Sequence, residues 1–189
     1  MPEHTVDLHE PASLFRGFRL VHCPPYREVL PELLPVAPHR LLVHRGHMTA
    51  ALEEFYGGAV RIEPLERVRR GSWYSRAVLL YVDGVPGPVQ FGIMALDLAA
   101  VPDHVVHRVL RAEEPLGRIL MDVHPLRTVI PVAYWCFEVT EQWNGWFGGW
   151  VGAAFFGRTA VIECDQGPTV LLLEVVPERP AIRPGQGLH

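Results

Sequence analysis

The chain contains no lysine; all seventeen of its basic residues are arginine. That excludes Schiff-base chemistry, pyridoxal phosphate anchored on lysine and the phosphate-gripping lysine of a P-loop. Any anion bound here falls to arginine, whose planar fork meets a carboxylate with two parallel hydrogen bonds. Cysteine is scarce as well. Cys23, Cys136 and Cys164 form no CxxC pair, and their odd number and wide spacing suit reduced thiols in a cytoplasmic protein rather than a disulfide framework. There is no basic excess, since 21 acidic residues against 17 basic ones give a formal charge of −4. Nucleic acid, which needs a basic footprint, is therefore not expected as a partner. No apolar run approaches the roughly 18 residues of a membrane span, so no membrane partner is expected. The opening MPEHTVDLHEP carries acids and no apolar h-region, unlike a signal peptide.

Metal and nucleotide signals are missing too. Ten histidines are present, with His44 close to His47 and His104 close to His107, yet no HExxH or Cys/His ligand set accompanies them. Gly145, Gly148, Gly149 and Gly152 are interleaved with tryptophans instead of forming a phosphate loop after a strand. The expectation is a protein with no metal and no cofactor.

What remains is a globular composition, 49 % apolar and 20 % charged over 189 residues, enough to bury one sizeable core. Residues 1–25 are polar and proline-bearing and read as an N-terminal arm. Residues 26–45 are apolar but broken by Pro31, Pro35 and Pro38, so only short helical turns are expected there. From Thr49 a helix is expected, with Met48, Leu52, Phe55 and Tyr56 on one face and Gly57-Gly58 as its stop. Strands are expected over 59–70, 74–82 and 88–96, the last two joined by the Asp83-Gly84 turn. Pro102-Asp103 opens a helix to about Arg111, and PLGRIL at 115–120 is a turn leading into another helical turn. Strands follow at 127–139, 158–164 and 169–176, the last pair joined through Gln166-Gly167-Pro168. Strands linked by short turns, without regular β-α alternation, argue an α+β fold. Its expected form is a single antiparallel sheet of about six strands with helices packed on one face. The domain is expected over 26–180, with 181–189 as a C-terminal tail.

Four blocks carry a resemblance. HMTAALE at 47–53, WYSRAVLL at 73–80, EEPLGRIL at 113–120 and FGRTAVIECDQGPTVLLLEVVPERP at 156–180 occur in an order that resembles the chorismate pyruvate-lyase family. The resemblance covers 40–130 and 156–180. It implies a chorismate-lyase-like fold and a cofactor-free lyase that splits chorismate into 4-hydroxybenzoate and pyruvate. By matching position it implies Arg76 as the group binding the ring carboxylate and Glu174 as the acid/base near the hydroxyl. Met48 and Leu116, with the adjoining Gly117, correspond to contacts around the substrate. A second arginine is expected for the pyruvyl carboxylate, with Arg158 the first candidate and Arg118 the second.

The residues themselves single out the same pair. Arg76 sits mid-strand between Tyr74 and Val78, where a charge is avoided unless it has a partner. Glu174 is the one charge within VLLLEVV; desolvation there raises its pKa unless it is paired, leaving an acid able to donate to a leaving ether oxygen. Aromatisation drives the elimination, so the protein needs chiefly to hold the diacid in a reactive conformer. Simpler readings stand beside these. Arg76 and Glu174 could be a structural ion pair across the sheet, Met48 plain core, Leu116 and Gly117 a turn and helix start, and Arg118 and Arg158 loop anchors.

Residues 131–155 depart from the family. They hold four of the five tryptophans, Trp135, Trp143, Trp146 and Trp150, with four glycines. Three readings are open: a flap over an apolar ligand, a patch sealing against a second subunit in a homodimer, or a hairpin whose tryptophans complete the core. Two other functions therefore stand beside the lyase. One is an enzyme of the same fold, in specialised metabolism, acting on another aromatic or cyclohexadiene acid. The other is a non-catalytic small-molecule binding module, because the fold resembles the ligand-binding domain of some transcription regulators.

Overall fold

The structure is a computed structural model and describes residues 6–123, 128–149, 152–164 and 167–179. Residues 1–5 of the expected arm, the 181–189 tail, Trp150 and Gln166 of the last turn lie outside the described residues. Seven strands form one antiparallel sheet: β1 (Tyr26–Val29), β2 (Val60–Arg70), β3 (Trp73–Val82), β4 (Pro88–Asp97), β5 (Val129–Glu138), β6 (Ala154–Cys164) and β7 (Gly167–Pro177). Their spatial order is β1-β5-β6-β7-β4-β3-β2. Two local meanders, β2-β3-β4 and β5-β6-β7, meet where β4 pairs with β7. The seventh strand, β1, is only four residues long and pairs with β5 at the sheet edge, inside a stretch whose prolines suggested helical turns alone.

Among the described residues five α-helices accompany the sheet: α1 (Val36–Leu42), α2 (Met48–Tyr56), α3 (Asp103–Arg111), α4 (Leu116–Val123) and α5 (Glu141–Phe147). Alternation along the strands sorts the core. On β3, Tyr74, Val78 and Leu80 face α1 to α4, while Ala77 and Leu79 face away. The expected helical layer on one face is thus α1 to α4. The other face is covered by α5 and by a 3₁₀ turn at Pro11–Phe15, whose Leu14 and Phe15 are buried beside Phe91 and Ile93. Part of the arm therefore belongs to the core.

Local chemistry sets the helix ends. Gly57 closes α2 at φ 70°, in the left-handed region that glycine enters without penalty. The Thr140 hydroxyl accepts the Trp143 N–H at 3.3 Å and starts α5, which ends at Gly148. Trp143, 0 % exposed, packs against Phe91, Phe137 and Phe155. Among the three readings of the tryptophan-rich segment, the described part takes core completion. Among the described residues no helix is long and apolar enough to cross a membrane.

Candidate functional site

A cavity of about 70 Å³ lies on the α1–α4 side of the sheet, above β3, β4 and β7. It is several times larger than the roughly 10–15 Å³ that one water needs. Its floor comes from alternate residues of the central strands: Arg76 and Val78 of β3, Gln90 and Gly92 of β4, and Glu174 of β7. Its walls are the start of α2, with Met48, and the α3–α4 corner, with Leu116 and Gly117. Five sequence-derived candidates, Arg76, Glu174, Met48, Leu116 and Gly117, therefore converge on one cavity. Gly117 has a steric reason to be glycine. A Cβ there would stand 2.8 Å from the Thr49 hydroxyl, so its absence lets α4 approach α2.

Arg76 is 2 % exposed, and no ion pair among the described residues involves it. Among the described residues its guanidinium donates only to main-chain carbonyls, of Val109 at 3.4 Å and of Glu114 at 3.2 Å, both long for a charged donor. Burial holds it below the usual arginine range. The corner that receives these bonds is braced outside by Arg108, which pairs with Glu114 and Asp122. Ala112 turns that corner in a left-handed conformation, φ 54°.

Glu174 is paired, but not with Arg76. Strands β6 and β7 place Arg158 directly opposite it, and Arg158 Nε donates to Glu174 Oε2 at 2.6 Å. Arg158 is 0 % exposed, and its remaining donors reach the carbonyls of Leu42 (2.8 Å), His44 (2.6 Å) and Gly46 (3.4 Å). It binds the α1–α2 connection to the sheet and has little left to offer a ligand. The other candidate for a second carboxylate, Arg118, turns outward to Glu53 at the surface. Neither arginine lines the cavity. The condition on Glu174 as an unpaired acid is not met, because Arg158 supplies a charge partner.

His44 belongs to the same tie. Its Nε2–H donates to the Leu41 carbonyl at 2.7 Å while Nδ1 accepts the Gly46 N–H at 3.1 Å, a neutral imidazole assigned from its partners. Burial, and then the Arg158 charge, lower its pKa. Gln90 also lines the cavity and is not among the sequence-derived candidates, although it is the one polar side chain of β4 before Asp97. Among the described residues no group of three or more His, Cys, Asp or Glu side chains could hold a metal.

No protein-family model matches the sequence, and no curated protein matches it at a significant level. Solved structures do resemble it. The effector domain of PhnF from Mycobacterium smegmatis superposes with a TM-score of 0.55 at 12 % identity, covering 73 % of this chain and 92 % of that one. The structure of PhnF from the same organism gives 0.55 and 12 %, covering 79 % and 72 %. A ligand-binding domain of a putative GntR-family transcriptional regulator from Bordetella bronchiseptica gives 0.47 at 10 % identity, covering 70 % and 90 %. At this identity the likeness is one of fold: α+β, with a single antiparallel sheet and helices packed on it, as in the PhnF effector domain.

Proposed function

We propose that this protein is a binding module for a small carboxylate-bearing molecule, held in the cavity between the sheet and the α2 and α3–α4 elements. One observation carries the reading. Arg76 places a buried positive charge on the cavity floor, and among the described residues its hydrogen-bond acceptors are all main-chain carbonyls. A buried cation without a carboxylate in hydrogen-bond contact is costly, and a ligand carboxylate replaces two long main-chain contacts with a charge-assisted pair. The likeness to an effector domain supports binding over catalysis. So does the Arg158–Glu174 pair, which keeps the glutamate engaged as a carboxylate partner.

Lyase action on chorismate is the second reading, favoured by the four motif blocks and by Arg76, Glu174, Met48 and Leu116 sharing one cavity. A related enzyme acting on another cyclic acid fits the same geometry. Calorimetric titration of the purified protein with benzoate, 4-hydroxybenzoate and chorismate tests the first reading. Binding should weaken about 10- to 150-fold in Arg76→Met, matching the roughly 1.5–3 kcal/mol of a hydrogen bond to a charged group. Equal affinity in the variant refutes the carboxylate role. Pyruvate release from chorismate above the spontaneous rate would move the conclusion to the lyase.

A further inference from the structure

We infer that Gln90 is a specificity-determining residue of this cavity, selecting an acid that carries a hydroxyl group at the end remote from its carboxylate. The inference rests on the carboxylate reading of Arg76. Its own observation is separate. Gln90 lies in β4, between β3 and β7, and is 2 % exposed. Among the described residues its carboxamide makes no hydrogen bond to protein, and its Oε1 is a fully buried acceptor without a partner. Buried polar atoms in native structures are paired in the great majority of cases, so each exception asks for a reason. The surroundings offer no fold-related one. Gln90 lies opposite Leu80 in register, and β4 is otherwise apolar from Pro88 to Leu96. A leucine or methionine would fill such a position without orphaning an amide.

Register places the residue relative to Arg76. On the cavity side of β4 the order is Gln90, Gly92, Met94, and these lie opposite Leu80, Val78 and Arg76 in turn. Two cross-strand rows, each about 6.6–6.8 Å of strand, separate the guanidinium row from the carboxamide row. Between them Gly92 contributes no side chain, and its other neighbour in register is Glu174. The floor thus reads cation, open backbone, carboxamide. A molecule lying along it meets Arg76 with its anion and Gln90 with its far end. A hydroxyl suits that end because it both donates and accepts, so it satisfies the carboxamide whichever way the amide is turned. Sites that hydrogen-bond a ligand hydroxyl reject the analogue lacking it strongly, because the site's own polar atoms are then left unpaired.

Benzoate and 4-hydroxybenzoate differ by that one hydroxyl and serve as probes. Wild type should bind the hydroxy acid at least tenfold more tightly by calorimetry, with the ratio falling close to one in Gln90→Met. A ratio unchanged in Gln90→Met overturns the assignment to Gln90, as does a wild type that binds both acids equally. Melting of the ligand-free protein gives a second, independent reading. Gln90→Met and Gln90→Leu should melt no lower than wild type, whereas a clear drop in both shows that the carboxamide serves the fold and overturns the proposal. Failure of wild type to bind either acid counts against Arg76 as a carboxylate site; the melting comparison still judges Gln90.

Discussion

Arg76 and Arg158 are both buried arginines on the same face of the sheet, yet methionine in their places should have very different effects on stability. Arg158→Met removes the charge partner of Glu174 and leaves its carboxylate buried and alone. Breaking one side of a buried pair costs about 3–5 kcal/mol. The carbonyls of Leu42 and His44 lose short, charge-assisted bonds as well. Against a whole-domain stability of roughly 5–15 kcal/mol, this is a large fraction. For a chain of this size each kcal/mol moves the melting point about 2–4 °C, so the expected fall is about 6–20 °C. Arg76→Met gives up two long bonds to carbonyls, of the order of 1 kcal/mol each, and also removes a buried charge that forms no ion pair among the described residues. The two contributions oppose, and the ligand-free variant should stay within about 1 kcal/mol of wild type or gain stability. Urea unfolding followed by circular dichroism at constant m-value measures both. A loss in Arg76→Met as large as that in Arg158→Met would refute the reasoning, since it would mean that Arg76 is as much a structural anchor as its neighbour.

Two further outcomes are expected. His44 is held below its ordinary pKa near 6.5 by burial first and by Arg158 second, with Glu174 acting in the opposite direction. The unfolded chain therefore takes up the proton first; stability is full above about pH 6.5 and falls as acidification proceeds toward the lower folded value. Melting points measured from pH 8 down to pH 5.5 should decline less in His44→Gln than in wild type, and identical slopes would show that His44 contributes nothing. Trp143→Ala should cost about 3–5 kcal/mol by chemical denaturation, as for a fully buried aromatic. Its benzoate affinity per folded molecule should be unchanged, because α5 covers the face opposite the cavity; a selective loss of binding with little loss of stability would restore the flap reading.

Much of the fold is visible in the residue pattern, for physical reasons that differ by element. Strands β3, β4 and β7 are long, β-branched and buried on both faces, so their apolar runs stand out. The α3 pattern is equally plain, with Val105 and Val109 inward and Arg108 outward. By contrast, β1 is four residues of edge strand after Pro24-Pro25, held by its pairing with β5 and not by its own propensity. Helix α5 hides because Gly145 and its aromatic residues are poor helix formers; the Thr140 cap and the burial of Trp143 and Phe147 override them. At the site, charged residues in apolar strands betray Arg76 and Glu174, but composition cannot say which arginine meets which glutamate. That follows from hairpin register, which sets Arg158, not Arg76, opposite Glu174. Gln90 looked unremarkable because an uncharged side chain in a strand raises no alarm until its hydrogen bonds are counted.

The junction of the two meanders has a consequence for how the molecule is held together over time. Each meander closes from chain neighbours, whereas β4 and β7 bring residues 91–96 against 170–175 across the whole α3-to-β6 stretch of the chain. The cavity floor straddles that junction, with Arg76, Gln90 and Gly92 on one side and Glu174 on the other. An acid held by Arg76 and Gln90 in a cavity that Leu172 and Glu174 also line lies across that junction and acts as a rivet between halves that otherwise assemble separately. At a hundredfold excess over its dissociation constant it adds about 2.7 kcal/mol to the folded state. That addition should appear mainly as slower unfolding, because the contacts it bridges exist only once the sheet is complete.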